Sequence, residues 1–348
     1  MPNTVIDLRS DTVTKPTPAM YNAIQHAVLG DDVLDGDPTV QELENLAAQK
    51  IGMEAALFVP SGCMGNQIAL ACHCNRGDSV LLEEEAHILY YETGSASIIA
   101  GVTLCSLPST NGIISPLEIE KRIIPKSFHT PGTTLLCIEN THNRKGGMIT
   151  YPPIMKEYAN IAKQQELKIH LDGARIFHAA IALKIDVKTL TQHVDSIMFC
   201  LSKGLGSPSG SMLCGTHEFI EDAKIWRKRL GGGMRQAGIL AACGIVSLHQ
   251  NIERLGEDHQ KAKNFSRALQ NFPGIQINED QVQTNIVMIH TKQPADLWVE
   301  TLKQSGVLLF AFGSHTLRAV FHYDISEDAL LKSIQIFEQV ASNLLAQS

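Results

Sequence analysis

The feature that most constrains this chain is an alternation of two patterns. Short apolar runs recur at 54–62 (EAALFVPSG), 78–85 (DSVLLEEE), 134–140 (TLLCIEN), 168–174 (KIHLDGA) and 196–202 (SIMFCLS). Each has the length and apolar density of a buried strand. Between them, CMGNQIALACHC (63–74) and IMKEYANIAKQQE (154–166) repeat apolar residues at helical spacing. Gln41 to Lys50 does the same, and Gly52 ends that helix. Strands alternating with helices over roughly 200 residues predict a mainly parallel sheet covered on both faces.

The pattern changes toward the C-terminal end. Phe219 to about Leu269 reads as a long helical stretch broken at Gly231, Gly232 and Gly233. After it, IQINE, NIVMIHT, VLLFAFG and TLRAVFHY read as strands, with helices at ADLWVETLKQSG and SEDALLKSIQIFEQVASNLLAQ. We therefore expect a large domain over 41–254, a small α+β domain over 255–348, and a leading segment over 1–40. A chain of 348 residues is long enough for that division.

Composition excludes several classes of function. The net charge of −7 and the lack of any long lysine–arginine run argue against a nucleic-acid partner. No apolar stretch approaches the ~20 residues that span a bilayer, and the start shows no signal-peptide pattern. The 8 cysteines lie mostly in apolar runs, as buried free thiols in a reducing cytoplasm do. Cys72, His73 and Cys74 have no second ligand cluster downstream, so we expect no metal.

Chemistry concentrates at the ends of the strand-like runs. Lys203, in FCLSKGLGSP, sits between small residues where it can form an imine with a carbonyl cofactor. Asp172, some thirty residues earlier, can keep a pyridine nitrogen protonated. These are the two demands of pyridoxal phosphate used as an electron sink. Gly62 and Cys63 form a strand–turn–helix junction suited to a phosphate. His87 can stack on a flat ring, relay a proton, or be structural. His142 is either a ligand-facing side chain or part of turn chemistry with Asn140 and Asn143. Arg318 suits a substrate carboxylate or a structural ion pair. Lys228 and Arg235 flank three glycines, as helix-surface charge or as an anion loop.

Taken in order, IDLRSDTVTKPTPAM, DDV…DPTV, EAALFVPSG, EEAHI, ENTHN, LDGARIFHA, CLSKGLGSP and WRKRLGGGMRQAG, with the arginine strand near the C-terminus, resemble the L-threonine aldolase family of pyridoxal-phosphate enzymes. The resemblance covers nearly the whole chain and implies an aspartate aminotransferase-like α/β fold of type I. It implies that Lys203 holds the cofactor, Asp172 pairs with the pyridine nitrogen, Arg175 lies near the ring hydroxyl and His87 stacks on the ring. Gly62 and Cys63 would take the phosphate. Ser10 and Arg318 would hold the substrate carboxylate, with His142 near the side-chain hydroxyl and Lys228 and Arg235 as cations near the site. The 1–40 segment would contribute to that site. The implied reaction cleaves threonine or allo-threonine to glycine and acetaldehyde, with His87, His142 or a water as base. A β-eliminating lyase and a cofactor-binding homologue with little activity are the alternatives. The family is a tetramer built from tight dimers. This chain departs from it at Leu34 and Asp35, where the family has tyrosine and glycine, and at Cys63, where it has threonine.

Overall fold

The structure, a computed structural model, describes residues 5–346, so the extreme ends of the 1–40 and 255–348 segments lie outside the described residues. Its centre is a seven-stranded sheet of β1 (Ala55–Val59), β2 (Ser79–Glu83), β3 (Thr103–Leu107), β4 (Thr133–Glu139), β5 (Lys168–Asp172), β6 (Ser196–Cys200) and β7 (Ser211–Gly215). The order across the sheet is β1-β7-β6-β5-β4-β2-β3. Every neighbouring pair is parallel except the two that involve β7. Strands β2, β6 and β7 are buried at all five positions, because helices cover both faces.

Two of these strands are absent from the sequence reading. β3 lies at the sheet edge, and TLCSL is mostly half-buried or exposed there, so it lacks the dense apolar signal. β7, SMLCG, begins and ends on small residues, yet it is wedged between β1 and β6.

The reversal of β7 leaves β1 parallel to β2–β6. The C-terminal ends of all six parallel strands therefore share one edge of the sheet, the edge at which doubly wound folds hold their ligands. The chain leaves that edge at Ser61–Gly62 after β1, His87 after β2, Asn143 after β4, Arg175 after β5 and Lys203 after β6. The helix Gly62–His73 starts there, with the Ser61 hydroxyl accepting from the Met64 amide at 3.2 Å. It packs hard against β6: a Cβ on Gly65 would come within 2.6 Å of Met198 Cγ.

A second sheet is antiparallel, with β8 (Ile275–Gln276), β9 (Ile286–Thr291), β10 (Phe310–Gly313) and β11 (Thr316–Val320) in the order β8-β9-β11-β10. Helices Leu255–Leu269, Ala295–Gln304 and Glu327–Ala346 pack on it around Phe265, Trp298 and Phe337. The expected single strand VLLFAFG is split in two. Val307–Leu308 pairs in parallel with Ile6–Asp7, and only Phe310–Gly313 joins β11. Ile6 and Leu8 are thereby buried in the second core, which fixes the start of the path that carries Ser10 to Thr12 toward the first sheet. Among the described residues no helix is long and apolar enough to cross a membrane.

The Gly65–Met198 contact generates a test. Gly65→Ala forces a methyl into the helix–sheet seam, and the blocking atom lies near the root of its side chain. Overpacking of this kind costs about 1–3 kcal/mol, so chemical denaturation should show a lower midpoint with an unchanged slope.

Candidate active site

Two cavities meet at the carboxyl edge of the large sheet. One, of about 320 Å³, is lined by Ser61, Gly62, Cys63 and Asp172; the other, of about 470 Å³, by Ser10, Arg175 and Arg318. Thr12, His87 and Lys203 line both. Eight of the residues singled out from sequence thus converge from positions 10 to 318.

The first cavity is built around Lys203 and Asp172. The loop that carries Lys203 is closed by the Gly206 amide donating to the Lys203 carbonyl at 2.8 Å. It lies against His178, so near that a Cβ on Gly204 would meet that ring. Asp172 is only 3% exposed. Its Oδ1 accepts from the Ala174 amide at 3.1 Å and its Oδ2 from Asn66 Nδ2 at 2.9 Å. His87 is fixed at both ends. Its backbone amide donates to Glu139 at 2.7 Å, and Nδ1 lies 3.0 Å from the buried Glu92 carboxylate. Burial disfavours the His87 imidazolium, but Glu92 and Asp172 outweigh burial and hold its pKa above the ordinary value.

The second cavity contains two guanidinium groups of different standing. Arg175 is neutralised by Asp11 in a bidentate pair, with both contacts at 2.7 Å and both side chains buried. Arg318 forms no ion pair among the described residues. It donates to Asn143 Oδ1 at 2.8 Å and to the Arg9 carbonyl at 3.2 Å, and its Nε is buried without a partner. Phe312 lies beneath it, 4.3 Å from the guanidinium carbon. Burial and the neighbouring Arg175 lower its pKa to about 10. A buried cation without a counter-ion is the arrangement that an incoming carboxylate completes.

Three predicted residues are not brought to this cleft. His142 is 1% exposed, with Nε2 2.8 Å from Glu83, and lines neither cavity. The ENTHN turn presents Asn143 to the cleft and turns His142 toward Glu83. Arg235 pairs with Asp31 at 3.1 Å, and Lys228 lines a separate cavity with Asp32 and Glu44. Both belong to the surface around the Asp31–Gly36 turn, where Leu34 is 73% exposed. In Cys72-His73-Cys74, His73 bonds Ser196 at 2.7 Å and stacks on Phe219, so the three do not converge. Cys63, His87 and Glu92 offer ligand atoms within 4.8 Å of one another. Glu92 is already occupied by protein donors, and burial with Glu92 and Asp172 pushes the Cys63 thiol up to about 11, which suits a cavity wall better than a metal centre.

Asp11, Thr12, Asn66 and Glu92 were missed from sequence, and Asn143 was read only as a turn residue. Signals existed for two. Asn66, with Gln67 beside it, interrupts a mostly apolar helix, and Asp11 follows the singled-out Ser10.

The donor set fits pyridoxal phosphate. A lysine and a buried aspartate face one cavity, and the cavity ends at the first turn of the helix Gly62–His73, whose leading amides have no partner within the helix. A Cβ on Gly62 would meet Cys200 Sγ at 2.9 Å, so only glycine lets the turn lie this close. On this sheet such a site defines a fold type I pyridoxal-phosphate enzyme. The beta-eliminating lyase family matches residues 7–292. A low-specificity L-threonine aldolase of Arabidopsis thaliana is 42% identical over 342 residues, 96% of each chain. That of Escherichia coli K12 is 40% identical over 328 residues, covering 94% of this chain and 96% of its own. The solved Leishmania major threonine aldolase superposes with a TM-score of 0.82 at 16% identity, covering 97% of this chain and 99% of that one, which speaks to the fold. The chain belongs to the L-threonine aldolase family, within the beta-eliminating lyases.

The Asp11–Arg175 pair yields a stability prediction. Asp11→Asn leaves a buried guanidinium uncompensated, and breaking such a pair costs about 3–5 kcal/mol. Urea denaturation should register a loss of that order. A loss below about 1 kcal/mol would mean that the pair is solvated in solution.

Proposed function

We propose that this protein cleaves L-β-hydroxy-α-amino acids, threonine and allo-threonine among them, to glycine and an aldehyde. The observation that carries the reading is Arg318, a buried cation without a counter-ion that shares a cavity with Lys203 and His87. The names borne by the relatives support the same substrate class.

Each side chain has a task in this reading. Lys203 would hold the cofactor covalently, Asp172 would keep its ring nitrogen protonated, and Ser61, Gly62 and Cys63 would take its phosphate. Pyridoxal phosphate, when bound, supplies the sink for the electron pair of the broken Cα–Cβ bond. Arg318, aided by Ser10, would grip the substrate carboxylate as a planar fork and so fix the orientation of the substrate in the cleft. Arg175 stays near the ring, its charge balanced by Asp11. His87, held at Nδ1 by Glu92, presents Nε2 to the β-hydroxyl and takes its proton.

The finer assignments extend that reading. Residues 41–254 serve as the cofactor-binding domain and 255–348 as the small domain, with 1–40 completing the site. The protein works in the cytoplasm, in threonine breakdown and glycine supply. It forms a tetramer of tight dimers. Lys228, Arg235 and the exposed Leu34 turn, which line neither cavity of their own chain, face the cleft of the dimer partner.

A second reading, β-elimination, is favoured only by the description of the matching family. The products separate the two, because elimination gives a keto acid and ammonia. Purified holoenzyme given each threonine diastereomer should release equimolar glycine and acetaldehyde. Lys203→Ala should abolish this, and borohydride reduction of the parent should tag Lys203 alone. A keto acid as product, or a tag elsewhere, overturns the reading.

Arg318→Lys retains the charge but not the fork. We expect KM for threonine to rise about tenfold or more with little loss of thermal stability, because no protein carboxylate loses its partner. An unchanged KM would place the substrate carboxylate elsewhere.

A further inference from the structure

Asn66 forms part of the wall of the cofactor cavity, wholly buried from solvent, on the helix Gly62–His73. Its single amide nitrogen donates in two directions: to Asp172 Oδ2 at 2.9 Å and to Glu92 Oε1 at 2.8 Å. An amide nitrogen has two hydrogens, so each carboxylate receives one. The other end of the amide is fixed as well. Asn66 Oδ1 is 3.1 Å from His170 Nε2, and His170 Nδ1 is 2.9 Å from Ser196 Oγ. That arrangement permits one orientation of the amide, because a flipped amide would set its oxygen against two carboxylates.

The two carboxylates serve different partners. Asp172 faces the cavity of Lys203, and Glu92 holds His87 Nδ1. Glu92 also accepts from Gln67 Nε2 at 2.5 Å, a donor with no bond to Asp172. The charged groups acting on His87 are Glu92, Asp172, Lys203 and Glu139.

We propose that Asn66 is a positioning residue that sets Asp172 and the Glu92–His87 pair together, so that the ring-nitrogen partner and the proton acceptor are held by one amide. The inference rests on the roles given above to Asp172 and His87. It concerns their coupling, which neither role requires. Withdrawing the amide removes a donor from each buried carboxylate. For the Glu92–His87 pair, the deprotonated state carries the uncompensated negative charge and loses most, so the proton is held more tightly. For Asp172, a less stabilised carboxylate draws the ring proton toward itself and weakens the sink.

The test uses holoenzyme and three readouts: the pH titration of the bound cofactor's absorbance, which reports Asp172; the acid limb of kcat/KM, which reports His87; and the split between kcat and KM. Asn66→Ala should move the absorbance titration and shift the acid limb upward, each by about half a pH unit or more. It should lower kcat about tenfold or more while KM for threonine stays within about threefold. Gln67→Ala should shift the acid limb upward and leave the absorbance titration in place. Asn66→Ser, which has one hydrogen to give, should fold if the alanine variant does not, and should move at least one of the two titrations. A folded Asn66 variant with both titrations unmoved overturns the proposal. So does movement of the absorbance alone in Asn66→Ala, since Asn66 would then act on Asp172 without reaching His87. A parent enzyme that binds the cofactor but fails to cleave threonine sinks the functional reading instead, and the absorbance arm still tests Asn66.

Discussion

The architecture depends on the buried pair of Asp11 and Arg175. Arg175 follows the central strand β5, whereas Asp11 lies on a segment whose earlier residues, Ile6 and Leu8, are packed in the second core. Asp11 also receives Asn285 Nδ2 at 3.4 Å, just before β9. One carboxylate of the leading segment therefore bonds a residue just after β5 of the large sheet and one just before β9 of the small sheet. Burial alone would push it toward neutrality, but the guanidinium beside it holds it well below the usual carboxylate range. An ion pair at such a place adds little net stability over a hydrophobic contact of equal volume. Its value is geometric, because it fixes the distance between the two halves of the cleft.

The two arginines of the cleft show how one residue type takes opposite roles. Arg175 is saturated by Asp11 and remains a fixed part of the wall. Arg318 is left with Asn143, a backbone carbonyl and an aromatic face. Asn143 Oδ1 accepts from both, at 3.3 Å from Arg175 and 2.8 Å from Arg318, so a neutral oxygen separates the two cations. The free protein bears the cost of an uncompensated buried charge, and a bound carboxylate relieves it.

Much of this was legible in the sequence, for a definable reason. Lys203 and Asp172 sit at the ends of dense apolar runs, and parallel strands bring such ends to one edge. Strands β3 and β7 were not legible, since an edge strand and a strand with small residues at both ends lack the density on which pattern reading relies. Asn66 and Glu92 escaped because their importance lies in what they touch, at separations in sequence of 26 and 106 residues. That Asn143 faces the cleft and His142 faces Glu83 was not legible either, because strand-end position does not fix which of two adjacent side chains turns inward. Lys228 and Arg235 carry the charge of an anion site, but Arg235 pairs with Asp31 and Lys228 lines a cavity with Asp32 and Glu44, and no local pattern encodes that.

The parallel pairing of Ile6–Asp7 with Val307–Leu308 has a consequence for the timing of synthesis. The two partners lie about 300 residues apart, near the extreme of sequence separation, where closure is slowest. At a ribosomal rate of about 5–20 residues per second, residues 6–8 wait for tens of seconds before their docking strand exists. The seven strands of the large sheet are all made in the interval. A nascent chain thus carries Lys203 and Asp172 before Arg318 and the docking strand of the leading segment exist. The cleft cannot be complete until synthesis is nearly so: a chain cut short before β11 keeps the lysine and lacks the clamp.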